Sequence, residues 1–142
     1  MSTFHLEIIT PERLAYEDEV EMVTAPTAMG VVGILPNHVP LFSRLIEGEV
    51  KVTKGKEEYF LAIGGGFVEV TKQRVCILVS RAVHAHELNE MEIKKAQERA
   101  REALDSGVKG YQLREAQLLL RRSLLEMKVL RRRRRSLSTH PN

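Results

Sequence analysis

From Phe4 to about His84 the apolar residues either alternate with polar ones or gather in short runs, broken by Pro, Gly or charged turns about every ten residues. That rhythm predicts short strands joined by tight turns, an all-β sandwich. The predicted strands are Phe4 to Thr10, Val20 to Ala25, Val31 to Leu35, Gly48 to Lys54, Glu58 to Ile63, Gly66 to Thr71 and Gln73 to Ser80. Gly55 between two lysines and the Thr71-Lys72-Gln73 triplet read as hairpin turns.

At Leu88 the period changes. Glycine and β-branched residues thin out, and Ala, Leu, Glu, Gln, Lys and Arg take over. Asn89 is placed to cap a first helix, with Glu92 three residues on. Ile93, Ala96, Ala100, Ala103 and Leu104 then form one apolar stripe, small enough for close helix packing. Ser106-Gly107-Val108-Lys109-Gly110 turns the chain back into a second helix, Tyr111 to about Arg133. That helix carries two stripes: Leu113, Ala116, Leu120, Leu124 and Met127, and then Leu118, Leu125 and Val129. One serves the first helix; the other is left for the sandwich or another chain. The predicted class is α+β: an N-terminal all-β sandwich over residues 1–87 followed by a C-terminal antiparallel two-helix hairpin over 88–142.

Charge divides at the same place. Residues 1–87 hold 8 basic and 12 acidic side chains, a net of −4, whereas 88–142 hold 14 and 7, a net of +7, so the two parts suit different partners. The positive charge culminates in five consecutive arginines, Arg131 to Arg135, with Arg121, Arg122 and Lys128 upstream. Such a run suits nucleic acid, anionic lipid or an acidic protein segment, or serves as a solvated helix end complementing the macrodipole. The helix lacks interleaved aromatics for base stacking, and the first half is acidic, which argues against nucleic acid.

Little reactive chemistry is visible. Ser43, Ser80, His5 and His38 are scattered and form no nucleophile motif. His84 and His86 are too few to hold a metal. The single cysteine, Cys76, lies in an apolar run and reads as a buried thiol. Gly64-Gly65-Gly66 sits between strands without a following Lys-Ser or Lys-Thr, so it reads as a bulge or a close backbone approach, not a phosphate loop. No apolar stretch is long enough to span a membrane, and the N-terminus lacks the pattern of a secretory signal.

The most distinctive segment is Gly33-Ile34-Leu35-Pro36-Asn37-His38-Val39-Pro40-Leu41. Two prolines bracket Asn37 and His38, fix the backbone and remove donors, so a stiff loop with apolar flanks is expected, and Asn37 to Leu41 is not expected to join a central strand. Taken with Gly48-Glu49-Val50, with Gly64-Gly65-Gly66-Phe67-Val68-Glu69-Val70 and with the helical hairpin, this loop resembles the epsilon subunit of F-type ATP synthases, the counterpart of mitochondrial delta. The resemblance covers nearly the whole chain.

It implies a non-catalytic rotor part whose sandwich binds the gamma subunit and the c-ring, peripheral on the cytoplasmic face of a bacterial inner membrane. The implied c-ring or gamma contacts are Val31, Val32, Pro36, Asn37, His38, Pro40, Leu41 and Phe42. Family members often carry an acidic residue near Val31, which this chain lacks, so an apolar contact is expected. The resemblance further implies that the hairpin extends into the alpha/beta catalytic head and hinders ATP hydrolysis. Arg121, Arg122, Arg131, Arg132, Arg133, Arg134 and Arg135 are then the contacts with the beta subunit. Some bacterial members bind ATP through Ile or Leu, Asp, two residues, Arg and Ala at the start of the first helix. Here Leu88-Asn89-Glu90-Met91-Glu92-Ile93 replaces the Asp, the Arg and the Ala, placing an anion where phosphate would sit. No bound nucleotide or other cofactor is therefore expected. The competing readings are a module that binds nucleic acid or an anionic surface through the arginine tail, and an enzyme using His38.

Overall fold

A computed structural model describes residues 2–139. Ten strands form one sheet: β1 Phe4–Ile9, β2 Leu14–Val20, β3 Met22–Thr27, β4 Gly30–Ile34, β5 Leu41–Leu45, β6 Gly48–Lys54, β7 Glu57–Ile63, β8 Gly66–Val70, β9 Arg74–Val79 and β10 Ala82–His84. Neighbours run β10-β7-β6-β3-β5-β8-β9-β1-β2, with β4 added to β3. Pairing is antiparallel except between β1 and β9. The sheet curls over itself, and Tyr16 of β2 packs on Tyr59 of β7 with ring centroids 5.8 Å apart. Leu6, Ile8, Val50, Val52, Leu61 and Ile63 alternate inward and are fully buried, as the period of two requires.

Every predicted strand exists, most within a residue of its expected ends. The Gly55 turn is a two-residue hairpin, with Lys54 paired to Glu57 and Gly55 at φ +60°. Three strands escaped the sequence reading. β2 is obscured because Glu17, Asp18 and Glu19 interrupt its apolar alternation. β10 is only three residues long. β5 begins at Leu41, so the expectation that proline would keep Leu41 out of the sheet is corrected: Pro40 ends the irregular loop, and Leu41 pairs with Val70. The strand predicted from Val20 is likewise two, because Val20 closes β2 and β3 starts at Met22. Pro26 is accommodated within β3 because pairing to β6 covers only Met22 to Thr24.

Helix α1 (Glu90–Asp105) begins where expected. The Asn89 side chain accepts bonds from the N–H groups of Met91 and Glu92, so Glu92 joins the cap through its backbone. Gly107 and Gly110, at φ +79° and +64°, reverse the chain into α2 (Tyr111–Thr139), which runs beyond Arg133. Ala116, Ser123, Met127 and Leu130 are buried along α2, and Met127 and Leu130 pack with Ile93 of α1. Leu124, assigned to that stripe from sequence, is 48% exposed. Leu125 and Val129 of the second stripe reach the sandwich against Phe60, Ala62 and Ala85. This explains why β7 is buried on both faces and reads as a continuous apolar run. Leu118 of the same stripe stays exposed.

Candidate functional site

The proline loop is built as the sequence suggests. The His38 N–H donates to the Leu35 carbonyl at 3.2 Å, and Asn37 takes φ +64°, the one positive φ outside glycine among the described residues. The His38 ring donates from Nδ1 to the Val39 carbonyl at 2.7 Å, so this imidazole braces the loop. The loop forms one wall of a cleft of about 580 Å³ that also contains His5, Glu19 and the turn between β8 and β9.

The eight predicted contact residues do not form one patch. Val32 and Leu41 turn inward and pack on the core. Pro36 and His38 are half-buried, while Asn37 and Pro40 are exposed. Val31 is 75% exposed on β4, with Met29, Leu35 and Val39 also presented to solvent. Phe42 points from a different strand. Its ring stacks on Phe67 of β8 with centroids 5.4 Å apart and planes 20° from parallel, and both rings remain largely exposed. An exposed stacked aromatic pair beside an exposed Leu78 is an apolar face of the kind that partners cover. Phe67 was missed as a site residue, although the signal was present: in Gly66-Phe67-Val68-Glu69-Val70 the inward residues are Val68 and Val70, which sets Phe67 on the outer face.

The arginines also divide. Arg121, Arg122 and Arg131 are exposed on α2. Arg132 turns to the sandwich, its Nε 3.3 Å from Glu49 Oε1 and its guanidinium 5.5 Å from the centre of the Phe60 ring. Arg133 is half-buried beside Glu58, His84 and His86. Arg134 donates to Glu90 of α1 at 3.0 Å, which holds the Glu90 carboxyl below its usual range. The run is thus partly engaged within the chain, and is not a wholly solvated tail. Further bridges to α2 come from the pair Arg81 with Glu126 and from Ser136, whose hydroxyl donates to Glu58 at 2.8 Å.

Two other groups have structural roles. His84 donates from Nε2 to the Ala15 carbonyl at 2.6 Å while its ring stacks on His86. Arg13 makes two bonds to Glu87, which also accepts the His84 N–H, and together these pull the Glu87 pKa down to about 2, the Arg13 bond contributing most. His5 lies between Glu17, at 3.1 Å, and Glu19, at 3.2 Å, with Glu17 the main cause of its raised pKa.

Residues 3–85 match the family described as ATP synthase, Delta/Epsilon chain, beta-sandwich domain. The ATP synthase epsilon chain of Dehalococcoides mccartyi is 38% identical over 136 residues, covering 95% of this chain and 97% of that one. That of Herpetosiphon aurantiacus is 40% identical over 129 residues, covering 91% and 95%. Among solved structures, a chain of the Euglena gracilis mitochondrial ATP synthase aligns with a TM-score of 0.67 at 20% identity, over 99% of this chain and 83% of that chain.

Proposed function

Because the chain belongs to the ATP synthase delta/epsilon family, we propose that it is the non-catalytic central-stalk subunit of an F-type ATP synthase, coupling ion-driven rotation of the c-ring to ATP synthesis. The observation that carries this reading is the match along nearly the whole chain to epsilon chains, joined to a surface whose prominent features are apolar faces. The two faces suit two partners. The stacked Phe42 and Phe67, on the side of the sandwich, fit the gamma subunit, and the loop of Pro36, Asn37, His38 and Pro40, with Val31 and Val39, fits the c-ring. Among the described residues no helix is long and apolar enough to cross a membrane. Attachment through the complex at the cytoplasmic face of a bacterial inner membrane agrees with that.

The hairpin is the regulatory part in this reading. Released from the sandwich, it would lie along gamma and reach the alpha/beta head, where Arg121, Arg122 and those of Arg131 to Arg135 that face the beta subunit would meet its carboxylates. Charge-assisted pairing to several carboxylates offsets the loss of the small docked face. The test is a crosslink in the purified complex between a cysteine placed at exposed Arg131 and cysteines in the beta subunit, with Cys76 replaced by serine. Crosslinking that varies with nucleotide supports the inhibitory role; no crosslink under any condition leaves coupling as the function.

A further inference from the structure

Five arginines in succession cover more than one turn of helix, so they cannot all face one partner. Arg132 and Arg134 illustrate two different consequences. Glu90, the partner of Arg134, lies on α1, so that pair travels with the hairpin and is kept when the hairpin leaves the sandwich. Glu49, the partner of Arg132, lies on β6, so that pair must break.

The Arg132 pair is also an incomplete one. The Glu49 side chain is only 14% exposed. Its Oε2 and the Arg132 Nε are both buried without a hydrogen bond among the described residues. The charges attract, and the guanidinium rests on Phe60, but desolvated polar groups are left poorly satisfied. Beneath them the apolar seat is small, with Val129 and Leu125 on Phe60, Ala62 and Ala85.

We propose that Arg132, between Glu49 and Phe60, is a latch that, beside the Arg81–Glu126 pair and the Ser136–Glu58 bond, tunes how often the hairpin leaves the sandwich. It is strong enough to favour the docked form and unsatisfied enough to be drawn away by an acidic protein segment offering a fully hydrogen-bonded carboxylate. The proposal rests on the regulatory reading of the hairpin given above. It separates the arginine run into Arg132, which must exchange partners, and Arg134, which need not.

The test is single-molecule energy transfer on the full chain, with dyes at Lys56→Cys and Lys109→Cys in a Cys76→Ser background, reading the undocked population. Glu49→Gln should raise that population about tenfold, as expected for removing one partner of a partly buried pair. Glu90→Gln should leave it within about twofold, because its salt bridge is internal to the hairpin and exposed. The combined Glu49→Leu and Arg132→Met, replacing the pair by apolar side chains, should lower it below that of the wild type and reduce its increase with salt, the Arg81–Glu126 pair supplying what remains. An unchanged population in Glu49→Gln, or a double variant that undocks as readily as Glu49→Gln, overturns the latch. If the populations move as stated while ATP hydrolysis by the complex does not, the latch stands and the inhibitory role of the hairpin fails.

Discussion

Replacing Gly66 with alanine adds one methyl group at a point where the sheet has no room for it. Gly66 opens β8 and pairs with Val79 on one side and Leu45 on the other, so it cannot move outward without leaving a ladder. An added Cβ would fall on the Leu78 carbonyl oxygen, 2.7 Å from Val79 Cα and 2.9 Å from the Leu78 carbonyl carbon. All three are backbone atoms, so no rotamer change relieves the overlap. Overpacking in a core costs about 1–3 kcal/mol when side chains can adjust, and a backbone collision belongs at or above the upper end, about 3 kcal/mol or more. The neighbouring glycines give the internal scale. At Gly65 the nearest atom to a new Cβ is the Leu45 carbonyl oxygen at 3.5 Å, an ordinary contact. There the stiffer unfolded chain should make alanine neutral or stabilising by about 0.4–1 kcal/mol. At Gly64 the obstacle is chiefly Ser80 Oγ, which can rotate away, so an intermediate loss is expected. Urea unfolding followed by circular dichroism measures the series. Gly66→Ala no worse than Gly65→Ala would refute the argument that close backbone approach explains the three glycines.

Val129→Ala removes two methyl groups from a fully buried position and should weaken docking of α2 by about 1–2 kcal/mol; a rise in the undocked population with little change in sandwich unfolding checks this, and an unchanged population contradicts it. The folded pKa of Glu87, about 2, lies below the ordinary value of 4.5, so its pairing with Arg13 stabilises fully above about pH 4.5 and is lost as pH falls towards 2. Discounted for partial exposure, the effect is about 1 kcal/mol; Glu87→Gln should flatten the acid side of the stability profile, and an identical slope would count against the pair. ATP should not bind the isolated chain with a sub-millimolar dissociation constant, since Glu92 is an anion at the position expected for Arg in the motif of those bacterial members that bind ATP; isothermal titration decides it.

Much of the fold was legible because period two and period 3.6 differ so plainly on either side of Leu88. The elements that escaped are those whose local signal is set by something other than burial on one face. In β2 the outward residues form an acidic ladder around His5, so only part of the strand looks apolar. β5 follows directly on Pro40, and a rule about proline cannot say where its influence ends. The candidate site was less legible. The sequence pointed to the loop and to Phe42, but Phe67 lies 25 residues further on in the chain, and only pairing between β5 and β8 brings the two rings together. Nor could composition distribute the arginines, because whether a guanidinium meets Glu49, Glu90 or solvent depends on how α2 packs against the sandwich and against α1.

The central claim is that this chain works mechanically, through surfaces that join the rotor. Its most direct test is ATP-driven ion pumping per ATP hydrolysed, in membranes carrying the synthase with Phe42→Asp and Phe67→Asp together in this subunit. The account predicts that hydrolysis continues while pumping falls severalfold and the subunit dissociates more readily from the stalk. Full pumping with the altered subunit firmly retained would contradict it.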